Sequence, residues 1–264
     1  MASSAAPEPL TNITDGTSGH ATGPTAHFIF IEPKPEGKKQ APLIEAWNRA
    51  ISLYFTNTEN PPFTVLEGTL QKLDAAVLEC DCMVSPANSF GIMDGGYDDV
   101  LSNAFRGPAN DYWALTNQAQ EYIKREWNGY LPPGSCVIVP LPTELAGPNN
   151  PWKARFIAML PTMRVPESMA WHRDIVYHCM WSLQVAIKNW NRNHPEGRPI
   201  ERVLMTGLAT GYGEIPAEKC AGQMVLAVHH FRQPVQERLR WAAIVPRENE
   251  IVDTINLDVN NGYC

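Results

Sequence analysis

The chain has 264 residues, 44% of them hydrophobic and 19% charged, a balance that supports one sizeable core and excludes collagen-like or wholly disordered classes. The formal charge of −7 argues against nucleic acid as a partner, because such binding needs clustered Lys and Arg to displace phosphate counterions. No apolar run approaches the roughly 18 residues of a membrane span, and the first residues lack the basic and apolar stretches of a secretory signal. The expectation is an intracellular protein, cytoplasmic or nuclear, with no membrane partner.

In chain order, residues 1–25 are rich in Ala, Ser, Thr, Gly and Pro without hydrophobic periodicity, which predicts a disordered tail. A short apolar run, His27 to Ile31, reads as a strand. Leu43, Trp47, Ala50, Ile51 and Tyr54 then recur at helical spacing. Residues 26–60 are therefore expected to form a β-loop-α extension packed on a main domain over 61–246, followed by a C-terminal tail over 247–264. After the Asn60-Pro61-Pro62 break, Phe63 to Leu66 is the next strand candidate.

Further strand candidates are Ala76 to Leu78 with Cys82 to Val84, then Cys136 to Val139, Phe156 to Leu160, Val203 to Thr206, and Ala242 to Val245. Helical patterns lie between them: Asp98 to Phe105, Trp113 to Trp127, a broad stripe from Ile175 to Ile187, and Ala217 to Phe231. Strands alternating with helices predict an α/β fold with crossover helices.

The six cysteines include no C-x-x-C pair, which favours buried reduced thiols. Cys80 and Cys82 form a C-x-C pair, but no other Cys or His lies close in sequence to complete four metal ligands. No metal or other cofactor is expected. The His229-His230 pair reads as a surface or satisfied-core pair rather than a catalytic one.

Two loops carry the candidate chemistry. The first runs from Ser85-Pro86-Ala87-Asn88-Ser89-Phe90 to Gly95-Gly96-Tyr97-Asp98, leaving a buried strand and entering a helix. The second, Gly207-Leu208-Ala209-Thr210-Gly211-Tyr212-Gly213, follows the Val203 strand and feeds another helix. Ligands of open α/β sheets collect outside the carboxyl ends of strands. Glycine turns there bring backbone amides close to an anion and bind it without net positive charge.

Together these stretches resemble a macro domain, a family that binds ADP-ribose and processes ADP-ribose 1''-phosphate. The resemblance covers roughly residues 62–232. Asn88 and Asp98 keep the family's separation of ten positions; Thr210, Gly211 and Pro216 match its second loop, and Pro161-Thr162-Met163-Arg164-Val165-Pro166 resembles a divergent macro-like branch. The chain departs from the family pattern at Ser85, where the family has Asn, and at Gly68-Thr69, where it has Gly-Asp. The glycine run is also cut to Gly95-Gly96, and the second-loop aromatic is displaced by one place to Tyr212.

The resemblance implies a three-layer α/β/α sandwich with a mixed sheet. It implies an ADP-ribose-type small molecule or an ADP-ribosylated protein as partner, with Asn88 and Asp98 as catalytic residues. Ser85, Ala87, Ser89, Phe90, Gly95, Gly96, Tyr97, Thr162, Arg164, Ala209, Thr210, Gly211, Tyr212 and Gly213 are the implied ligand-binding residues. Three functions fit: an ADP-ribosyl hydrolase, with ADP-ribose 1''-phosphate phosphatase as a variant; a noncatalytic ADP-ribose reader; and a macro-like structural or interaction domain. Read without the resemblance, Asn88 is a loop residue bonded to its own backbone and Asp98 an acid favoured in a first helical turn.

Overall fold

The computed structural model describes residues 26–34, 42–255 and 257; the expected tail over residues 1–25, and Cys264, lie outside them. In chain order the elements are β1 (His27–Glu32), α1 (Pro42–Tyr54), β2 (Phe63–Glu67), β3 (Cys82–Ser85), α2 (Gly96–Ala104), α3 (Ala114–Trp127) and β4 (Val137–Pro140). They continue with β5 (Phe156–Met159), α4 (Ile175–Asn193), β6 (Arg202–Met205), α5 (Ala217–Arg232) and α6 (Trp241–Ile255). The six described strands form one sheet in the order β2-β1-β6-β3-β5-β4. All neighbours are parallel except β4, which runs antiparallel to β5.

The strands are short continuous apolar runs because both faces of the sheet are covered. Phe28 and Phe30 of β1, Cys82 and Val84 of β3, and Val203 and Met205 of β6 pack with α1, α4 and α5. The alternate residues Ile29, Ile31, Met83 and Leu204 pack with α2 and α3. The result is a three-layer α/β/α sandwich, with α6 laid outside α5. Each fully buried Phe or Ile contributes about 1.5–3 kcal/mol by leaving water.

The β-loop-α stretch before residue 61 is woven into this sheet. β1 pairs with β2 on one side and β6 on the other, and Trp47 of α1 lies 4.8 Å from Phe30, ring centre to ring centre. α1 also reaches the second glycine loop: a Cβ on Gly207 would fall 2.4 Å from Leu43 Cδ1. The expected boundary at residue 247 falls within α6.

Two strand expectations are corrected. Residues 76–78 form turns, because Asp74 gathers the chain: its carbonyl accepts from Val77 and Leu78, and its Oδ1 from Ala76. An Asp bonding backbone groups ahead of it stabilises a turn over a strand. Residues 242–245 are helical, in α6. Four apolar residues cannot distinguish the periods; here Ile244, Arg247, Glu248 and Ile251 fall on one helical side and line a common cavity.

At the amino ends of the strands, Asp81 ties three of them together. It is 3% exposed. Its Oδ2 accepts from the amides of Glu201 and Arg202 at 2.9 and 3.0 Å, and its Oδ1 from Arg155 Nη2 at 3.1 Å. The pair His229-His230 packs within the fold. His230 is buried between Tyr177 Oη (3.0 Å from Nδ1) and Glu250 Oε2 (2.5 Å from Nε2), while His229 meets the ring of Phe55 edge-on at 5.5 Å.

Candidate functional site

β3, β5 and β6 are neighbours, so the segments leaving their carboxyl ends converge. The first loop and the segment after β5 are stitched by backbone bonds, Leu160 donating to Ser85, Thr162 to Ala87, and Ser89 to Arg164. The segment after β5 also joins the second loop, since the Met169 amide donates to the Gly213 carbonyl at 2.8 Å. The two glycine loops meet where a Cβ on Gly95 would come within 3.6 Å of Tyr212 Cε2.

Beneath this junction lies a buried polar pair. Ser85 ends β3 on the face that carries α2, and its hydroxyl donates to Asp98 Oδ1 at 2.7 Å. Ser85 is fully buried and Asp98 is 6% exposed. Burial pushes the Asp98 carboxyl up to about 7; the Ser85 hydrogen bond pulls it down and nearby Asp94 pushes it further up. A carboxyl poised near neutrality exchanges a proton at working pH, a property shared by functional and some purely structural sites. Gly96 opens α2 with φ +58°, a left-handed turn that glycine adopts without strain.

The second loop is a tight arch. The Ala209 carbonyl accepts from Ile215 and the Gly211 carbonyl from Glu214, both at 3.0 Å, with Ala209 itself at φ +58°. Gly213 passes so close that a Cβ would lie 2.5 Å from the Ala209 oxygen, whereas one on Gly211 would meet nothing within 4 Å. Gly213→Ala is therefore expected to destabilise the fold by about 1–3 kcal/mol, read as a lower melting temperature; an unchanged melting curve would contradict the arch geometry. Thr210 is half-buried at the arch and Tyr212 is exposed.

The other predicted residues are placed differently from one another. Asn88 closes its own loop: Nδ2 donates to the Ile92 carbonyl at 2.7 Å, and Oδ1 accepts from the amides of Phe90 and Ile92. Ala87 and Ser89 are buried, and Ser89 Oγ and Thr162 Oγ1 are buried with no hydrogen-bond partner among the described residues. Phe90 lies at the surface against Tyr130, ring centres 5.7 Å apart. Tyr97 turns into the α2/α3 side of the core. Arg164 is exposed and points to Glu167, 3.9 Å away.

Several supports of the site carry little signal in sequence. Glu32, at the end of β1, accepts from the Leu43 amide at 2.9 Å and so fixes the start of α1 against the second loop. Lys219, near the start of α5, donates to the His172 carbonyl at 2.7 Å. An acid just after an apolar strand was the one visible hint of the first contact; nothing in sequence marks the second. A cavity of about 1050 Å³ lies elsewhere, at the amino edge of the sheet, lined by His27, Glu201, Trp181, Phe231 and Leu239 among others. It shares no residue with the two loops, so size does not nominate it as their ligand pocket.

Among the described residues no group of His, Cys, Asp and Glu is disposed to hold a metal. Cys80 and Cys82 pack into opposite sides of the sandwich, and burial raises both thiols. No described helix is long and apolar enough to cross a membrane.

Among solved structures, the chain is similar to the Oceanobacillus iheyensis macrodomain with ADP, at 16% identity over 69% of this chain and 86% of that one, TM-score 0.44. It is also similar to the macrodomain of Mycobacterium tuberculosis DarG, at 18% identity over 66% of this chain and 97% of that one, TM-score 0.44. The family model described as a macro-like domain matches residues 64–244. With its two glycine loops joined over the carboxyl edge of a three-layer sandwich, and that match spanning most of its length, the chain belongs to the macro-like domain family.

Proposed function

We propose that the chain binds ADP-ribose or a related ADP-ribosyl ligand at the carboxyl edge of the sheet and hydrolyses an ADP-ribosyl conjugate there. The observation that carries this reading is the meeting of the Gly95 and Tyr212 loops above the buried Ser85–Asp98 pair. Family membership supports the ligand class.

In this reading the arch at 209–213 and the α2 entry receive the diphosphate through backbone amides, which suits an acidic chain. Tyr212 is free to cover a sugar face. Asp98, once ionised, accepts a proton-bearing group, either a ribose hydroxyl or the water that attacks the ribose carbon. Hydrolysis then breaks the bond from that carbon to the conjugated group, and water supplies the hydroxyl of the ribose and the proton of the leaving group. The partner is an ADP-ribose-type small molecule or an ADP-ribosylated protein, and the reaction would make the chain an ADP-ribosyl hydrolase.

One observation favours a noncatalytic reader as the second reading: the Asn88 amide is committed to Phe90 and Ile92, which leaves it poorly disposed to hold a distal ribose. Calorimetric titration with ADP-ribose, AMP and ribose phosphates tests the shared binding claim. Release of ADP-ribose from a modified protein then separates hydrolase from reader.

Gly211→Glu is expected to abolish ADP-ribose binding, weakening it by at least 100-fold, while the melting temperature holds, because Gly211 faces open space and the new charge enters the anion cradle. Unchanged affinity in a folded variant would remove the loop from the site.

A further inference from the structure

Ser85 occupies the last position of β3, with β5 and β6 on either side of that strand. Its hydroxyl has one described partner, Asp98 Oδ1 at 2.7 Å. Neither residue is reached by an ion pair among the described residues. The acids nearest Asp98 in the chain are Asp94, which acts on it by repulsion, and Asp99, which faces away to Tyr112 Oη at 2.6 Å and Asn103. The Tyr97 phenol, buried beside it, has no described partner. From β3, the adjoining strand, only Ser85 offers Asp98 a proton.

We infer that Ser85 is a positioning residue of the ligand site: by donating to Asp98 Oδ1 it orients the carboxylate and sets the pH above which the site accepts the hydroxyls of its ligand. This rests on the reading of the carboxyl edge as an ADP-ribosyl site. A donor hydrogen bond to a carboxylate favours the charged form, so it opposes the burial and the Asp94 repulsion that both favour the neutral acid. With the carboxylate charged and one oxygen held by Ser85, the other oxygen remains to accept from a ligand hydroxyl. The protonated acid would offer a donor in place of that acceptor, so affinity falls as pH drops through the titration of Asp98.

The direction of the effect follows. Removing the hydroxyl in Ser85→Ala takes away the only described contact that favours ionisation, so Asp98 titrates at higher pH. Loss of one charge-assisted hydrogen bond corresponds to an upward shift of about one pH unit. At the wild-type midpoint the charged fraction then falls from about half to about a tenth, and binding weakens about five-fold. Above that range, where both proteins are fully ionised, the affinities converge. A purely structural role would lower affinity equally at every pH.

Two measurements test this on the full chain. The first is the carboxyl carbon titration of Asp98 by NMR in Asp-labelled protein, assigned by the signal missing from Asp98→Asn, for wild type, Ser85→Ala and Ser85→Thr. The second is ADP-ribose affinity against pH for the same proteins, with melting curves as the folding control. The expected result is a raised midpoint in both for Ser85→Ala, with Ser85→Thr returning toward wild type. An unmoved carboxyl midpoint in folded Ser85→Ala overturns the proposal, and so does a moved midpoint with a pH-independent loss of affinity. If ADP-ribose binds at no pH while the carboxyl titration behaves as expected, the ligand reading has failed, and with it the role of Ser85 in the site, although Ser85 still tunes Asp98.

Discussion

Asp98→Ala is expected to lower single-turnover release of ADP-ribose from a modified protein by about 10²-fold or more, the usual size for a positioned acid or base. Binding should weaken too, through loss of the acceptor that the ionised carboxyl offers a ligand hydroxyl, but by less than turnover, because the diphosphate is received by the backbone of the two loops. The pH dependence distinguishes the carboxylate from a mere structural contact. Burial pushes the Asp98 carboxyl up to about 7, so wild-type turnover should climb as pH rises through that value, and the variant should lack this limb. Equal turnover in both proteins would leave Asp98 as a residue of the helix start.

Stability gives an independent check on the same group. The folded protein raises the Asp98 carboxyl above its ordinary value of 3.8, chiefly by burial. A raised carboxyl stabilises the fold when protonated; that contribution is complete below the ordinary value and is lost as pH rises through about 7. Hence wild type should lose melting temperature relative to Asp98→Asn between about pH 4 and about pH 7. A constant difference across that range would show that Asp98 is not buried as described. The same burial that costs stability at high pH is what places the acid in the range useful for proton transfer.

The second large effect is structural. Asp81→Ala is expected to destabilise the chain by about 3–5 kcal/mol, the range for removing one partner of a buried charged pair, lowering the melting temperature by roughly 6–20 °C. The amides of Glu201 and Arg202 lose their side-chain acceptor, and the Arg155 guanidinium keeps only the carbonyls of Arg198 and Pro199; β3, β5 and β6 are joined at that point. Asp81→Asn keeps an acceptor oxygen and should cost less. Because Asp81 sits at the edge opposite the glycine loops, affinity for ADP-ribose in the still-folded fraction should be unchanged. A melting curve like wild type for Asp81→Ala would refute the account.

Much of the fold is legible in the chain. The strand candidates at 27–31, 63–66, 82–84, 136–139, 156–160 and 203–206 coincide with β1 to β6 within one or two residues, because strands buried on both faces read as unbroken apolar runs. The errors fell where a run was too short to show its period. At 76–78 Asp74 bends the chain, and at 242–245 Ala-Ala-Ile-Val belongs to a helix whose packed side is completed farther along by Ile251 and Thr254. α5 has a diffuse pattern because α1, α4 and α6 surround it and bury it on nearly every side.

The site divides in the same way. The sequence by itself determined the glycine loops, their place after apolar strands, and the ten-residue spacing of Asn88 and Asp98, all of which are local in the chain. Only the tertiary structure decided which of those residues face one another. The parallel pairing of β3 with β6 brings Gly95 beside Tyr212, and insertion of β1 between β2 and β6 lets Leu43 of α1 press against Gly207. It likewise turned Tyr97 into the core, closed Asn88 on its own loop and set Ser85 against Asp98. The physical reason is that hydrophobic periodicity reports which side of an element leaves water, whereas strand order and side-chain direction depend on contacts between residues far apart in sequence.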